Sequence, residues 1–92
     1  MSRGFQQVQQ SARLAQGANH EQLLMERLNR YSMRAKNMTW GWGPHYDRRW
    51  AGSFWIGSVK IGASRWWLMS KDAAKEDAAR DALLRLDRHG YH

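Results

Sequence analysis

The chain of 92 residues contains no cysteine. This absence excludes a disulfide scaffold, a cysteine nucleophile and any zinc site with thiolate ligands. No apolar run approaches the roughly 20 residues that a bilayer-spanning helix needs, so we expect no transmembrane segment. A chain of this length has room for one hydrophobic core, and we therefore expect a single folded domain.

Acidic residues are also scarce. Eight Asp and Glu stand against fifteen Lys and Arg, which leaves a net charge of +7. Residues 1–69 carry ten basic and three acidic side chains, whereas residues 70–92 carry five of each, so the whole excess lies in the first part. A charge this far from neutral in a short chain favours a polyanionic partner, most often nucleic acid. An anionic membrane is the alternative, but only the net charge supports it, and we expect no membrane partner.

The chain divides into three parts: an N-terminal extension (1–18), a main domain (19–88) and a C-terminal tail (89–92). In the extension, apolar residues recur at spacings of three and four and predict a short helix; they are Phe5, Val8, Ala12 and Ala15. This segment contains Arg but no Asp or Glu, and in that respect it also resembles a mitochondrial transit peptide. We expect an intracellular location, cytoplasmic or nuclear, with a mitochondrial one left open.

Helical patterns occupy both ends of the main domain. Asn19 and Gln22 form a capping box, which predicts the start of the first helix. The apolar face of that helix consists of Leu24, Leu28 and Tyr31. Ser70 is a good N-cap for the last helix, and a stripe rich in alanine would let that helix lie close against a sheet. The stripe consists of Ala74, Ala78, Ala79, Ala82, Leu83 and Leu86.

The segment from Thr39 to Met69 has the pattern of β-strands. The first strand, which contains Trp40 and Trp42, ends at Gly43 and the only proline. A two-residue turn at Gly57 and Ser58 would then join two short strands. This turn would pair Ile56 with Val59, Phe54 with Ile61, and Trp55 with Lys60. An alternative turn at 62–64 would instead place the third strand at Arg65 to Met69.

The predicted fold is therefore α+β, with the order α-β-β-β-α. Three strands would form an antiparallel sheet, and two helices would pack on one of its faces. This order, together with three short motifs, resembles the double-stranded RNA-binding domain from about Asn19 to Leu86.

The three motifs lie on three different elements. The first motif, Gln22-Leu23-Leu24-Met25-Glu26, is similar to the polar-Leu-Leu-x-Glu segment of that family. The second, Gly43-Pro44-His45, is similar to the Gly-Pro-x-His loop of the family but is one residue shorter. Lys71 and Lys75 are similar to the outer lysines of its Lys-Lys-x-Ala-Lys sequence. The resemblance implies that Gln22, Glu26 and the loop reach ribose hydroxyls in two minor grooves, while Lys71 and Lys75 meet phosphates between them.

Asp72 stands where the family has its second lysine. An acid in the first turn stabilises a helix through the macrodipole, but it opposes a phosphate. Arg48 and Arg49, beside the Gly-Pro-His loop, would supply compensating phosphate contacts. Some members of the family have lost the lysines and bind proteins or dimerise instead.

Six tryptophans are many for so short a chain. Consecutive residues of a strand face opposite sides, so we expect Trp50 and one of Trp66 and Trp67 in the core. Trp55 and the other member of that pair would lie on the outer face of the sheet, as a protein-interaction surface. Covering by the N-terminal helix, dimerisation and stacking on single-stranded bases are the three alternatives for this face.

The sequence therefore predicts a double-stranded RNA-binding module that reads A-form RNA by shape and is largely independent of sequence. The alternative is a protein-interaction or homodimerisation module of the same fold. The acids form no two-metal cluster and no nucleophile–base motif is visible, so we expect no enzyme activity, metal, cofactor or small-molecule substrate. If the chain belongs to a larger enzyme of the ribonuclease III or Dicer type, the catalytic part lies elsewhere.

Overall fold

A computed structural model describes residues 19–92; the N-terminal extension and its predicted helix lie outside this range. The strands form one antiparallel sheet in the order β1-β2-β3, which confirms the predicted α-β-β-β-α arrangement. The elements are α1 (His20–Arg30), β1 (Lys36–Trp42), a 3₁₀ turn (His45–Asp47), β2 (Arg49–Ile56), β3 (Val59–Ala63) and α2 (Lys71–Arg88).

The core lies between the helices and one face of the sheet. Phe54 of β2 is fully buried there, beside Leu24 and Leu28 of α1. All six apolar residues predicted for the stripe of α2 are buried. Tyr31 was expected on the same face of α1 as Leu24, but α1 ends at Arg30 and Tyr31 instead packs edge-on against Tyr91, with ring centroids 5.1 Å apart.

Small residues let α2 lie directly on β3. A Cβ atom built on Gly62 would fall 2.6 Å from the carbonyl oxygen of Ala78 and 2.6 Å from both the backbone nitrogen and the Cβ of Ala82. Such distances leave no room for any side chain at position 62. The alanine stripe and Gly62 are thus two halves of one close contact between helix and strand.

The β2–β3 hairpin turns at Gly57 and Ser58 as predicted, with Ile56 opposite Val59 and Trp55 opposite Lys60. The predicted pairing of Phe54 with Ile61 is wrong, because the register shifts between Phe54 and Trp55 and places Gly62 opposite Phe54. The extra residue of this β-bulge, Ile61, packs against the core. The bulge thereby brings the glycine to the point where α2 approaches.

The alternative strand at Arg65 to Met69 is wrong as well. This segment leaves the sheet after Ala63 and returns to it at a single β-bridge between Leu68 and Trp50. Two main-chain hydrogen bonds form the bridge, from Trp50 N–H to Leu68 O at 2.8 Å and from Leu68 N–H to Trp50 O at 3.1 Å. The bridge fixes the chain just before the first turn of α2.

Glu76 of α2, rather than a capping box, holds the start of α1. Asn19 has a φ of 109° and makes no side-chain cap, so the predicted capping box is wrong. The Glu76 carboxylate instead accepts hydrogen bonds from the backbone N–H groups of Asn19 and His20, both at 2.7 Å, and of Glu21 at 3.0 Å. A long-range contact thus satisfies donors that a local side chain usually caps.

Side chains of α2 also bind the main chain of β3 and of the segment that follows it. Asp81 accepts a hydrogen bond from the N–H of Ala63 at 2.9 Å, and Arg85 donates one to the carbonyl oxygen of Lys60 at 3.4 Å. Asp77 accepts from the N–H of Arg65 at 2.8 Å. These contacts join the third strand to the helix along its length.

Candidate nucleic-acid interface

The loop between β1 and β2 projects from the end of the sheet. Gly43 has a φ of +94°, and a Cβ there would lie 2.8 Å from the carbonyl oxygen of Asp47, so the tight turn requires glycine. The N–H of Asp47 bonds to Pro44 O at 2.9 Å and closes the 3₁₀ turn. As a result, His45 and Tyr46 are exposed at the tip, Tyr46 by 89%.

Trp50 connects this loop to the start of α2. The Arg48 guanidinium lies 5.9 Å from the centroid of the Trp50 ring, and the Lys71 ammonium lies 5.2 Å from it. Both distances are within the range of cation–π contacts. Trp50 is half-buried, although the sequence placed it in the core. One indole ring therefore contacts a cation from the loop and a cation from the helix.

Gly41 makes the space that Trp50 occupies. A Cβ on Gly41 would lie 2.9 Å from two ring carbons of Trp50 and 3.1 Å from the Cδ of Arg48. The absence of a side chain at position 41 therefore leaves the space that the indole occupies beside β1. The alternation of Trp40, Gly41 and Trp42 indicated a strand but not this role of the glycine.

The first turn of α2 begins at Ser70, whose hydroxyl accepts a hydrogen bond from the N–H of Ala73 at 3.1 Å; the predicted N-cap is confirmed. Lys71 is exposed, and Lys75 is half-buried one turn further on. Free N–H groups at a helix start favour anions, so two lysines there strengthen an existing positive potential.

Residues 70–92 contain as many acids as bases, but most of these acids contact residues other than Lys71 and Lys75. Four of the five acids in residues 70–92 contact other parts of the fold. Glu76 binds the start of α1, and Asp77 binds Arg65. Asp81 binds the N–H of Ala63 in β3, and Asp87 contacts Arg27 at 2.6 Å. The neutral net charge of the segment thus does not describe its surface near Lys71.

The third predicted contact region, Gln22 and Glu26, lies exposed on α1. Glu76 ties the N-terminus of α1 to the second turn of α2, directly after Lys75 in the sequence. The position of Gln22 relative to Lys75 is therefore fixed by hydrogen bonds between the two helices. The sequence analysis did not identify this positioning role, because the partners of Glu76 in α1 lie more than 50 residues away in sequence.

Arg49 is less available than Arg48. Its guanidinium forms an ion pair with Asp47 at 2.6 Å, within the loop itself. A shallow pocket of about 400 Å³ lies beside this pair, lined by residues 45–50 and Met69. The structure thus gathers the loop, Arg48, Arg49 and Lys71 into one region around Trp50.

The remaining tryptophans lie on the outer face of the sheet or in the segment after β3. Trp66 is 68% exposed and Trp67 57%, so the prediction that one of them is in the core is wrong; the segment leaves the sheet, and strand alternation does not apply to it. Trp55 is half-buried, donates a hydrogen bond to the hydroxyl of Ser53 at 2.8 Å and lies 5.7 Å from the Lys60 ammonium. Trp40 and Trp42 are 50% and 40% exposed.

No known protein-family model matches the chain, and none of the curated proteins matches its sequence significantly. Among residues 19–92, no group of three or more His, Asp or Glu side chains is placed to hold a metal ion. Within the same range, neither helix is long and apolar enough to cross a membrane. The fold itself is an α-β-β-β-α domain with two helices on one face of a three-stranded antiparallel sheet.

Proposed function

We propose that the chain is a non-enzymatic member of the double-stranded RNA-binding domain family that binds A-form RNA by its shape. The observation that carries this proposal is the placement of Arg48 and Lys71 against the same Trp50 ring. A cation beside the Gly43–His45 loop and a cation of the first turn of α2 thus meet at one ring, which supports joint use of two of the three predicted contact regions.

Recognition by shape requires contact points at fixed separations. An A-form duplex offers 2′-hydroxyls and phosphates across about 16 base pairs, while the edges of its bases in the deep groove are out of reach. The backbone bridge between Trp50 and Leu68 fixes the loop relative to α2, and the cap by Glu76 fixes α1 relative to α2. The fold therefore supplies the rigidity that this kind of recognition needs.

The assigned roles follow from chemistry and exposure. Gln22, Glu26 and His45 carry acceptors or donors for ribose hydroxyls, and all three are exposed. Lys71, Lys75 and Arg48 supply positive charge for phosphates, with Arg49 as a further cation that would have to exchange its pairing with Asp47. None of these groups reads a base edge in this assignment, so the proposed binding is largely independent of sequence.

A titration with a 16-base-pair RNA duplex tests the proposal. We expect Lys71→Ala combined with Lys75→Ala to weaken binding by about ten- to thirtyfold at physiological salt, because two phosphate contacts are lost. The slope of log K against log salt should become shallower by about 1.5. Asp72→Lys should tighten binding, since it removes a negative charge from the same turn and adds a positive one.

The matched control is Arg80→Ala combined with Arg88→Ala. These two exposed cations lie on later turns of the same helix, so the net charge changes equally but the proposed site is left intact. Equal weakening by both double variants would mean that only bulk charge matters. Equal affinity of the wild-type chain for duplex DNA and duplex RNA would contradict recognition of A-form shape.

A second candidate function is protein contact or homodimerisation by the same fold. It is favoured by the exposed pair Trp66 and Trp67, whose ring centroids lie 6.2 Å apart. Exposed aromatic rings in one patch are typical of protein interfaces. Sedimentation at increasing concentration tests it: a mass that stays monomeric, with duplex RNA still bound, would rule out self-association as the main function.

A further inference from the structure

The face of the sheet opposite the helices carries an open groove, which we call the outer groove. Trp40 and Trp42 of β1 form one side, and Lys60 and Trp66 also line it. Its floor includes the small residues Ala51 and Ala63. The volume of about 570 Å³ lies within the range of about 300–1,000 Å³ that is usual for small-ligand sites.

The register of the sheet explains the groove. Trp40 lies opposite Ala51, so this large side chain of β1 stands beside a small residue of the central strand, while Trp42 lies opposite Arg49. Ala51 is buried although it faces away from the helices. Large aromatic walls over an alanine floor leave a concave surface that no described side chain fills.

The spacing of the two tryptophans suits stacked bases. Residues two apart on a strand face the same side and lie about 6.6 Å apart. Nucleotides along one strand of a duplex are spaced by about 3.4 Å, so two parallel rings at about twice that spacing would leave room for one base between them. Trp66 also lines the groove and adds a third aromatic surface. Aromatic rings bind unpaired bases with little preference for sequence.

The charges around the groove favour a polyanion. Lys36, Arg49 and Lys60 lie on the same face as Trp40, as their pairings with Trp55 and Trp42 show. None of the three strands contains an Asp or Glu; in the described part of the chain, the acids are confined to the helices and the 3₁₀ turn. A second copy of the chain, docked face to face, would bring these cations against each other at a cost.

We propose that the outer groove binds unpaired bases of single-stranded nucleic acid, with Trp40 and Trp42 as the stacking residues, Trp66 as a third ring and Lys60 as a backbone contact. Its stacking residues are distinct from the proposed duplex site around Trp50, Arg49 is a cation near both, and the proposal does not rest on the duplex site. The chain would then have two nucleic-acid surfaces, one for a duplex and one for a single strand.

The test uses a labelled decauridine strand at low salt and the full chain. Trp40→Ala combined with Trp42→Ala should weaken its binding at least tenfold, since each lost base stack is worth roughly five- to a hundredfold. Both rings are about half exposed, so the melting temperature should change little. Trp67→Ala is the matched control: it removes an exposed tryptophan that does not line the groove. Its ring lies beside that of Trp66, so a small effect is expected, but the loss of decauridine binding should be far smaller than for the Trp40/Trp42 variant.

Lys71→Ala with Lys75→Ala separates the two sites. It should leave decauridine binding within about twofold of the wild type if the groove acts independently, whatever its effect on the duplex. Three results would overturn the proposal: no decauridine binding at low salt, equal losses for the Trp40/Trp42 and Trp67 variants, or a dimer that the Trp40/Trp42 variant dissociates. The last result would assign the groove to contact between copies of the chain.

Discussion

Replacing Gly62 with alanine is expected to destabilise the fold by about 2–3 kcal/mol, the upper part of the usual range for overpacking. The added Cβ would lie 2.6 Å from backbone atoms of Ala78 and Ala82, and backbone atoms cannot rotate away as a side chain can. Either α2 must lift from β3 or the strand must bend. Thermal unfolding should show a fall in Tm of about 10–20 °C for a domain of this size.

Gly57→Ala provides the comparison for this prediction. Gly57 has a φ of +60° but no atom within 4 Å of a built Cβ, so it is constrained by conformation and not by space. Alanine in the left-handed region costs about 1–2 kcal/mol. Gly62→Ala should therefore lower Tm more than Gly57→Ala, and a reversed order would mean that α2 does not press on β3 as described.

Glu76→Ala should cost about 2–3 kcal/mol at pH 7, because three backbone N–H groups of α1 lose their acceptor at once. Glu76→Gln retains a carbonyl acceptor but loses the charge, and we expect it to cost about 1–2 kcal/mol. Urea unfolding of the three proteins measures the order. Asp72→Asn is the control, since it removes a charge from the same helix and should cost only about 0.5 kcal/mol.

The effect of Glu76 should depend on pH in a defined direction. Burial raises the pKa of Glu76, but the three backbone donors and the nearby His20 outweigh it, so the pKa lies below its ordinary value. Because the pKa is lowered in the folded state, the ionised carboxylate stabilises the fold at pH values above the ordinary pKa of Glu. This stabilisation is lost as the pH falls through the pKa of Glu76 in the folded state. The difference in the free energy of unfolding between wild type and Glu76→Gln should therefore be largest at pH 7 and decrease in strong acid. A difference that stays constant would show that the charge is not involved.

The order of the elements could be predicted because it depends on local patterns. A short local sequence pattern encodes each of three features: the alanine stripe of α2, the cap at Ser70, and the turn at Gly57 and Ser58. The register beyond the turn could not be predicted, since the bulge that places Gly62 opposite Phe54 depends on where α2 lies. The register of β2 and β3 is thus set by packing between elements that are distant in sequence.

The same distinction applies to the candidate site. The exposed loop at Gly43–His45 and the lysines at the start of α2 were identified by short motifs. The role of Trp50 was missed, because it depends on cations from two separate segments and on the gap left by Gly41. The role of Glu76 was missed as well, since its partners at the start of α1 lie more than 50 residues away in sequence.

The contacts of Asp81 and Arg85 with β3 have a consequence for the behaviour of the protein at high concentration. An open three-stranded sheet ends in strands whose free N–H and C=O groups can pair with another chain, which leads to edge-to-edge aggregation. In β3, Asp81 already holds the N–H of Ala63 and Arg85 the carbonyl oxygen of Lys60. The helix that completes the core thus also blocks this edge of the sheet against the addition of a foreign strand.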